Sequence, residues 1–547
     1  MSRARVCLSP LLLLLFAGTT WAGQPATRVL LDEKAGSPVS PLVFGAQEEI
    51  YVLPYMVPEA LTSYREMGVG LLRYPCGTAS DWFAWDDPEH GYWPAQWVQD
   101  RRKLYPDDYV ALCRRVGFEP LITVNTSFFG PHVGEGGCQY RINPTKVESI
   151  RKGAEYAAKW VEHANIQGKA CVKYWEIGNE VWIWMHPKEN AAHVREYSAA
   201  MRKVDPSIKI IACGLAGGFC GEPAWLDKCF GDEPGWVKPR KTDNWAEPWT
   251  RALLEEAAGS FDYLALHIYH TGESIDPVEN GRQVFAAIDE NGFLTKQIAW
   301  LREHRSPARL AVTEWMVNFY WDYMFRGDKL KAGKISQEQY DRYMTISPVT
   351  SFVTTLLTAD FMGQMISSGH VDIAVAHALS LGLGQYWNYE KSQPIQPPLE
   401  MPAGAAFRFW KRFAGERVVG VSVEDAPVYE FEGRKVSLLS AYATRGRDKI
   451  NVILISRSPD QPLTVRVPRA FGGQAVKSVT EHAVYADGWG ANVWPAVEDR
   501  SKYPIRQSTR PLPLETLDAY ELRPSHLVCL ELDFGGTTGS RPAPDNR

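Results

Sequence analysis

Two glutamates at the ends of apolar runs are the residues best suited to chemistry in this sequence. Glu180 follows Asn179 in the run KYWEIGNE, and Glu314 lies near the end of RLAVTEW. The first run is short, aromatic and β-branched and reaches a glycine, which is typical of a buried strand that ends at a turn. An isolated Asn-Glu pair can also be a turn that caps a following helix. The second carboxylate at a strand end favours a catalytic pair.

The hydrolysis of a glycosidic bond requires two carboxyl groups in one cleft. One acid protonates the leaving oxygen, and the other, as a carboxylate, attacks or stabilises the oxocarbenium-like centre; in retaining enzymes the two groups lie about 5 Å apart. One glutamate must therefore be protonated while the other is charged. Hydrogen bonds and a nearby cation keep the charged one ionised. The sequence predicts this chemistry if the fold brings Glu180 and Glu314 together.

Three further side chains at strand ends are candidates to support such a pair. Arg73, in LLRYP, can orient a carboxylate with its planar donor fork, or it can form a structural ion pair beneath the site. His267 and Tyr269, in LALHIYH, can donate hydrogen bonds to the nucleophile or the sugar. The spacing of His267 and His270 resembles a metal motif, but strand geometry directs them to opposite faces. We predict neither a metal nor another cofactor.

The elements that must position these residues alternate between strand and helix patterns from residue 41 to 395, which predicts an α/β fold, a (β/α)8 TIM barrel. The helical patterns cover residues 145–166, 188–204, 281–304 and 347–369. The eight strand-like runs are PLVFGAQ, GVGLLRYP, FEPLITVN, VKYWEIGN, IKIIACG, FDYLALHIY, ARLAVTEW and HVDIAVAHAL. Active sites of such barrels lie at the carboxyl ends of the strands. The ends of the fourth strand, with Glu180, and the seventh, with Glu314, are therefore expected at one mouth.

A second domain follows the barrel. Residues 396–410 are proline-rich and then aromatic, as at a domain join, and short alternating strands continue to residue 535. We predict an antiparallel β-sandwich over residues 396–535, joined by the N-terminal strand of residues 24–40, because a lone strand needs a partner for its edge. The tail, residues 536–547, lacks apolar anchors and is expected to be disordered.

Composition and the N-terminus limit the function classes. The 547-residue chain has a formal net charge of -5, and without a basic excess it is not expected to bind nucleic acid. Residues 1–22 carry two arginines, the run LSPLLLLLFAG and small residues, which predicts a signal peptide and a secreted or periplasmic protein. No later apolar run is long enough to span a membrane. Among the cysteines left after export, Cys220 and Cys229 are the nearest candidates for a disulfide.

Aromatic residues are abundant, with 20 Trp and 24 Tyr, which mildly favours a carbohydrate partner. Many lie in two long segments after the second and seventh predicted strands, residues 79–104 and 316–346. Loops at that face reach the substrate, although their rings can equally pack against each other. The aromatic side chains concerned are Trp82, Trp85, Trp93, Trp97, Phe319, Tyr320, Trp321 and Tyr323.

The motifs together carry a family resemblance. KYWEIGNE followed by TEW, with RYPCGTASDWFAWDD, PLITVN and AAKWVEHAN, resembles the family 51 glycoside hydrolases, the α-L-arabinofuranosidases of clan A. The resemblance covers roughly residues 40 to 410 and extends loosely into the C-terminal sandwich. It implies a retaining hydrolase with Glu180 as acid/base and Glu314 as nucleophile. Asn179 would hold the sugar 2-hydroxyl. Support for the nucleophile would come from Arg73, His267 and Tyr269.

The resemblance also implies a sugar subsite, in which this chain departs from the family. Glu49, in FGAQEEIY, matches a family carboxylate that binds the sugar, with Glu48 as the competing assignment. Thr78 stands where the family has a sugar-binding Asn, and His377 where it often has Gln. The pocket could therefore fit another sugar.

The leading prediction is a secreted α-L-arabinofuranosidase acting on plant cell-wall polysaccharides or oligosaccharides. The alternatives are an endo-β-glycanase (glucanase or xylanase) of the same clan and a catalytically silent carbohydrate-binding barrel. Family relatives often form homo-oligomers, so a homo-oligomer is a further expectation.

Overall fold

The computed structural model describes most of the chain between residues 26 and 535. The described residues are 26–32, 36–48, 58–77, 80–81, 83–87, 104–132, 138–216, 246–290, 292–318, 336, 338, 345–380, 382–388 and 393–535. Several predictions concern residues outside this set: the signal peptide, the tail, Glu49, Thr78, the Cys220–Cys229 pair and every loop aromatic named above except Trp85.

The strands fall into two groups along the chain. Those before residue 401 are β1 (Thr27–Asp32), β2 (Gly45–Gln47), β3 (Leu71–Tyr74), β4 (Glu119–Val124), β5 (Phe128–His132), β6 (Cys138–Arg141), β7 (Tyr174–Ile177), β8 (Lys209–Cys213), β9 (Tyr263–His270), β10 (Arg309–Val317), β11 (Val371–His377), β12 (Gly384–Asn388) and β13 (Gln393–Glu400). Those after residue 416 are β14 (Arg417–Glu424), β15 (Val428–Phe431), β16 (Arg434–Ser437), β17 (Leu439–Arg445), β18 (Lys449–Ser456), β19 (Leu463–Arg466), β20 (Ala470–Phe471), β21 (Gln474–Ala475), β22 (Ser478–Tyr485), β23 (Arg506–Leu512), β24 (Tyr520–Leu522) and β25 (His526–Asp533).

The α-helices lie mainly between the strands of the first group. They are α1 (Pro58–Met67), α2 (Pro106–Val116), α3 (Val147–Val161), α4 (Pro187–Val204), α5 (Ala246–Glu256), α6 (Pro277–Glu290), α7 (Gly292–Glu303), α8 (Val353–Ser367) and α9 (Pro402–Phe413). Helix α3 continues into a π-helical turn, Glu162–Gln167. Within the described residues, no helix combines the length and the apolar character that crossing a bilayer demands.

Eight parallel strands close into a barrel in the order β10-β11-β2-β3-β4-β7-β8-β9. Each of them coincides with one of the eight strand-like runs, although β9 and β10 extend one and two residues beyond theirs, so the predicted (β/α)8 barrel is confirmed. The runs are apolar because both faces are covered, by the barrel interior and by the surrounding helices. The side chains that fill the interior are Leu71, Leu121, Tyr174, Ile211, Ala265, Ala311, Ile373 and Val375.

The second domain contains a nine-stranded sheet with the order β23-β22-β25-β18-β17-β14-β1-β19-β24. Its separate core includes Val29, Val452 and Leu530. Strand β1 pairs antiparallel with β14 and parallel with β19, so the sheet is antiparallel except at this one described pairing. The N-terminal strand thus fills a gap between two strands of the C-terminal sheet, and the predicted combination of barrel and β-sandwich is confirmed.

Helix α9 packs against the barrel although it lies within the segment expected to form the β-sandwich. Thr355 Oγ1 in α8 donates to the carbonyl of Pro402 over 2.9 Å, and Trp410 Nε1 donates to the carbonyl of Ala359 over 2.7 Å. Phe407 meets Phe44 edge to face, with ring centroids 5.7 Å apart. The helix therefore covers the barrel between its last strand and the sheet domain.

Candidate active site

Glu180 and Glu314 face each other at the mouth of the barrel. Glu180 directly precedes a short 3-10 helix, Val181–Ile183, and follows β7 with a left-handed backbone, φ 49°. Glu314 lies in β10, where the register against β9 shifts between Ala311 and Glu314. A carboxylate oxygen of Glu180, a ring nitrogen of His267 and a carboxylate oxygen of Glu314 all lie within 4.8 Å of one another. This separation matches the roughly 5 Å found in retaining glycosidases.

Glu314 is surrounded by hydrogen-bond donors and basic side chains. Tyr269 Oη donates to its Oε1, and Arg73 Nη1 donates to its Oε2 over 3.2 Å. His267 Nδ1 lies 3.8 Å from Oε2, and His377 Nδ1 lies 3.6 Å from Oε1. Burial by itself favours the neutral acid, but His267, His377, Arg73 and the Tyr269 hydrogen bond together lower the pKa of Glu314 to about 2. Glu314 is therefore a carboxylate at neutral pH.

Glu180 is the more accessible member of the pair, with its side chain 20% exposed against 8% for Glu314. His267 Nδ1 lies 3.0 Å from Oε1 of Glu180. Burial lowers the pKa of His267, but the charges of Glu314 and Glu180 outweigh it and raise that pKa above its usual value. The imidazole thus links the two carboxyl groups.

The side chain of Asn179 is fixed at its oxygen, and its nitrogen is available to a ligand. Arg73 Nη2 donates to its Oδ1 over 2.8 Å, and its own Nδ2 is buried with no hydrogen-bond partner among the described residues. Because buried amide donors normally find a partner, this one is suited to a sugar hydroxyl. The family resemblance implies this role for Asn179, and the role stays a prediction.

Arg73 lies at the centre of the site and is fully buried. Its Nε donates to Glu176 Oε2 over 2.6 Å and its Nη1 to Gln47 Oε1 over 2.7 Å, in addition to the bonds to Asn179 and Glu314. Both interpretations of Arg73 therefore apply, because it forms an ion pair beneath the site and also contacts Glu314. A buried guanidinium with this many partners is rigidly held.

Sequence reasoning missed Glu176 and Gln47. Glu176 is fully buried and also accepts from Thr123 Oγ1 over 2.7 Å. The signal was present for Glu176, because it shares the inward side of β7 with Tyr174 and precedes Gly178 by two positions. Nothing in the run PLVFGAQ distinguishes Gln47 from an ordinary strand-end amide.

Two further predicted residues lie at the same mouth. His377 ends β11, and its Nδ1 lies 3.1 Å from Tyr269 Oη. Glu48 is buried after β2, and its Oε2 accepts from the backbone N–H of Ser380 over 2.7 Å. Glu49 and Thr78 lie outside the described residues, so the choice between Glu48 and Glu49 stays open.

His270 points away from His267, as the strand geometry predicts. It is buried against Phe361, with ring centroids 4.8 Å apart, and burial lowers its pKa to about 4. Among the described residues, Glu180, His267 and Glu314 are the group close enough to share a metal ion. Their donor atoms are already engaged: Arg73 binds Glu314, and His267 binds Glu180. This chemistry fits a carboxylate pair better than a metal centre.

Trp85, one of the loop aromatics, and the strand-end residue Asn125 have structural surroundings instead. Trp85 stacks on Trp160, with centroids 6.0 Å apart and an interplanar angle of 11°, and its Nε1 donates to the carbonyl of Tyr156. Asn125 is buried; its Nδ2 donates to the carbonyl of Phe83, and its own carbonyl accepts from Tyr197. Trp85 therefore packs between elements, and Asn125 is a core residue.

Known proteins support the family resemblance. No family model matches the chain. The chain is 22% identical over 469 residues to the intracellular exo-α-(1→5)-L-arabinofuranosidase of Streptomyces lividans. That match covers 78% of this chain but only 61% of the Streptomyces protein, so the chain spans about three-fifths of this curated relative.

Solved structures show the same fold over nearly the whole chain. AbfB, a family 51 α-L-arabinofuranosidase from Bifidobacterium longum, superposes with a TM-score of 0.66 at 16% identity, covering 94% of this chain and 100% of that one. A family 44 endoglucanase from Clostridium thermocellum superposes with a TM-score of 0.56 at 14% identity, covering 93% and 100%. Together, the sequence similarity to a named arabinofuranosidase and the fold similarity to a family 51 structure confirm that this chain is like the family 51 α-L-arabinofuranosidases.

Proposed function

We propose that this protein is a retaining α-L-arabinofuranosidase that works by double displacement. The observation that carries the proposal is the carboxyl pair, because oxygens of Glu180 and Glu314 lie within 4.8 Å across the barrel mouth. That spacing leaves room for a covalent sugar intermediate and not for an intervening water. The similarity to named arabinofuranosidases supports the choice of sugar.

In the first step, Glu314 attacks the anomeric carbon while Glu180 donates a proton to the departing oxygen. The low pKa of Glu314, about 2, keeps the nucleophile ionised, and Tyr269 and Arg73 fix its two oxygens in place. Glu180 is the more exposed carboxyl group of the pair, which suits the acid that must reach the leaving oxygen. The bond to the aglycone breaks as the bond to Glu314 forms.

In the second step, Glu180 accepts a proton from water, and the resulting nucleophile releases the sugar from Glu314. Two inversions at the same carbon return the original anomer. His267 bridges the two carboxyl groups and stabilises the charge that moves between them. Asn179 Nδ2, buried and unpartnered among the described residues, binds the sugar 2-hydroxyl.

The proposed substrates are arabinofuranosyl groups on plant cell-wall polysaccharides or oligosaccharides. The N-terminal LSPLLLLLFAG segment supports export to the periplasm or beyond, whereas the Streptomyces relative is named an intracellular enzyme. Sequencing the N-terminus of the mature protein and fractionating the cells tests this location. An intact N-terminus on protein recovered from the cytoplasm would contradict it.

Glu314→Ala tests the nucleophile. We expect turnover of 4-nitrophenyl α-L-arabinofuranoside to fall roughly 10⁴-fold or more, because the proposed mechanism forms its covalent intermediate on Glu314. Added azide restores activity and yields a product of inverted configuration, identified by NMR. Glu303→Ala, at an exposed glutamate of α7, is the matched control and keeps wild-type rates. Normal turnover by Glu314→Ala would remove the assignment.

A panel of nitrophenyl glycosides and polysaccharides tests the sugar. Cleavage of β-glucans or xylans without cleavage of arabinofuranosides would show an endo-β-glycanase. Binding of oligosaccharides without cleavage of any substrate would show a silent carbohydrate-binding barrel.

A further inference from the structure

Asp81 is a buried acid at the mouth that the two-step mechanism does not use. It lies between β3 and α2 and is fully buried. Its Oδ1 accepts the backbone N–H of Asn179 over 3.2 Å. Its Oδ2 is also buried and meets no hydrogen-bond partner among the described residues. A single hydrogen bond only partly offsets the free energy of burying a carboxyl group, so Asp81 lowers the stability of the folded protein.

The charged and titratable groups around Asp81 come from four elements. Arg73 in β3, Glu176 in β7 and Glu180 after β7 act on it electrostatically. Tyr197 in α4 and Cys213 in β8 also lie within its field. Burial, with added repulsion from Glu180 and Glu176, raises the pKa of Asp81 well above its usual value, and the Asn179 N–H and Arg73 oppose this only in part. These surroundings therefore favour the neutral, protonated form of Asp81.

Its single hydrogen bond falls on the turn that carries Glu180. Asn179 is held at two points, at its side chain by Arg73 and at its backbone by Asp81. The next residue, Glu180, adopts the left-handed backbone with φ 49°, which a side chain with a Cβ avoids unless its surroundings impose it. The Asp81 bond is one of those constraints.

We propose that Asp81 is a positioning residue for Glu180, acting through the Asn179 peptide to aim the acid/base carboxyl group at the leaving oxygen. The inference rests on the proposed function, because it needs Glu180 to be the acid. It assigns Asp81 no contact with the substrate. A misplaced acid harms bond cleavage most when the leaving group needs a proton, and least when the leaving group departs readily as an anion.

The test compares Asp81→Ala with Asp81→Asn on aryl α-L-arabinofuranosides with different leaving groups. For Asp81→Ala, kcat/KM for a phenyl glycoside falls roughly 10²-fold, the usual size of a general-acid contribution. For a 2,4-dinitrophenyl glycoside it falls less than about threefold, because this leaving group needs no proton. Asp81→Asn keeps a neutral acceptor for the Asn179 N–H and stays within about threefold of wild type on both.

Asp262→Ala is the matched control for general structural damage. Asp262 also accepts a backbone N–H, that of Ile210 over 2.8 Å, but it precedes β9 at the opposite end of the barrel. Asp262→Ala can lower the melting temperature, but it should not change the ratio of kcat/KM for the phenyl glycoside to kcat/KM for the 2,4-dinitrophenyl glycoside. If Asp81→Ala does not fold, Asp81→Ser, whose hydroxyl is shorter than the carboxyl group, takes its place.

Equal losses on both leaving groups, or an Asp81→Asn variant as impaired as Asp81→Ala, would overturn the positioning role. Failure of the proposed function looks different, because wild-type protein would then cleave no aryl arabinofuranoside. If the wild-type protein cleaves aryl glycosides of another sugar, the phenyl and 2,4-dinitrophenyl glycosides of that sugar test the role of Asp81 in the same way. If it cleaves none, both proposals are wrong.

Discussion

At the scale of single residues, the site separates the two glutamates by what surrounds them. Glu314 receives the Tyr269 hydroxyl and the Arg73 guanidinium, while Glu180 has His267 as its near partner. Arg73 is also committed to Glu176, so its charge is shared between two carboxylates. The ionised state of Glu314 therefore depends on several donors, and the contribution of each can be tested by a single substitution.

Tyr269→Phe tests this dependence through pH. Losing a donor to the charged form raises the pKa of Glu314 from about 2 toward its usual value of 4.5, so the acid limb of kcat/KM moves to higher pH. We also expect kcat/KM to fall roughly 10²-fold, as when an electrostatic donor is removed. Tyr263→Phe, at the other end of β9, is the control and leaves the limb in place. An unshifted limb in Tyr269→Phe would show that Tyr269 does not set the charge of Glu314.

At the scale of elements, β7 is anchored at its start as well as at its end. The π-helical turn Glu162–Gln167 after α3 places Asn165 against Val172, just before β7. Asn165 Oδ1 accepts the Val172 N–H over 2.7 Å, and its Nδ2 donates to the Val172 carbonyl over 2.9 Å and to Asp205 over 2.7 Å. The AAKWVEHAN segment thus supports the strand that carries Glu176 and leads to Glu180.

Asn165→Ala should lower the free energy of unfolding by about 1–3 kcal/mol, because it leaves the N–H of the fully buried Val172 without its partner. The Val172 carbonyl keeps the hydrogen bond from Trp175 Nε1. Denaturant titration measures the loss. The rate per folded molecule should stay close to wild type, since Asn165 is remote from the carboxyl pair. Gln167→Ala, at an exposed position of the same turn, should change stability by less than about 0.5 kcal/mol. Equal effects of the two variants would contradict the anchoring role.

At the scale of the whole molecule, an ion cluster centred on the buried Arg457–Asp360 pair joins the barrel to the sheet domain. Arg457, just after β18, binds Asp360 in α8 and Asp289 in α6, each over 2.6 Å. Tyr442 in β17 donates to Asp360 over 2.6 Å. Asp360 is fully buried, and burial raises its pKa even though Arg457 opposes the shift. Separating the two domains would leave the buried charges of Arg457 and Asp360 without each other, so this ion pair couples the stability of one domain to that of the other.

Arg457→Ala should destabilise the protein by about 3–5 kcal/mol, because it leaves Asp360 buried without its cation. Adding Asp360→Asn to that variant should recover part of the loss. Arg434→Ala is the control: Arg434 pairs with Glu290 at the same end of α6 over 2.5 Å, but the two side chains are 46% and 65% exposed, so the loss should stay below about 1 kcal/mol. Denaturant unfolding compares the three, and similar losses for Arg457→Ala and Arg434→Ala would refute the coupling.

The sequence by itself determined the barrel strands and the place of the two glutamates. Runs such as RLAVTEW and KYWEIGNE are mainly apolar over the length of a strand, so the burial of these strands can be predicted from the local sequence. Once eight such runs alternate with helices, the carboxyl ends of parallel strands must meet at one mouth. Glu180 and Glu314 therefore follow from local pattern plus a general rule of the fold.

The tertiary structure alone decided how the charges are shared. The division of Arg73 between Glu176 and Glu314, the contact of Tyr269 with His377, and the bond from Asn179 to Asp81 join residues far apart in the chain. The packing of α9 on the barrel and the parallel pairing of β1 are equally non-local. Hydrogen bonds require partners placed to within a few tenths of an ångström, and ionisation depends on which groups burial brings together. Neither the position of a hydrogen-bond partner nor the ionisation of a buried group can be predicted from the spacing of residues along a strand.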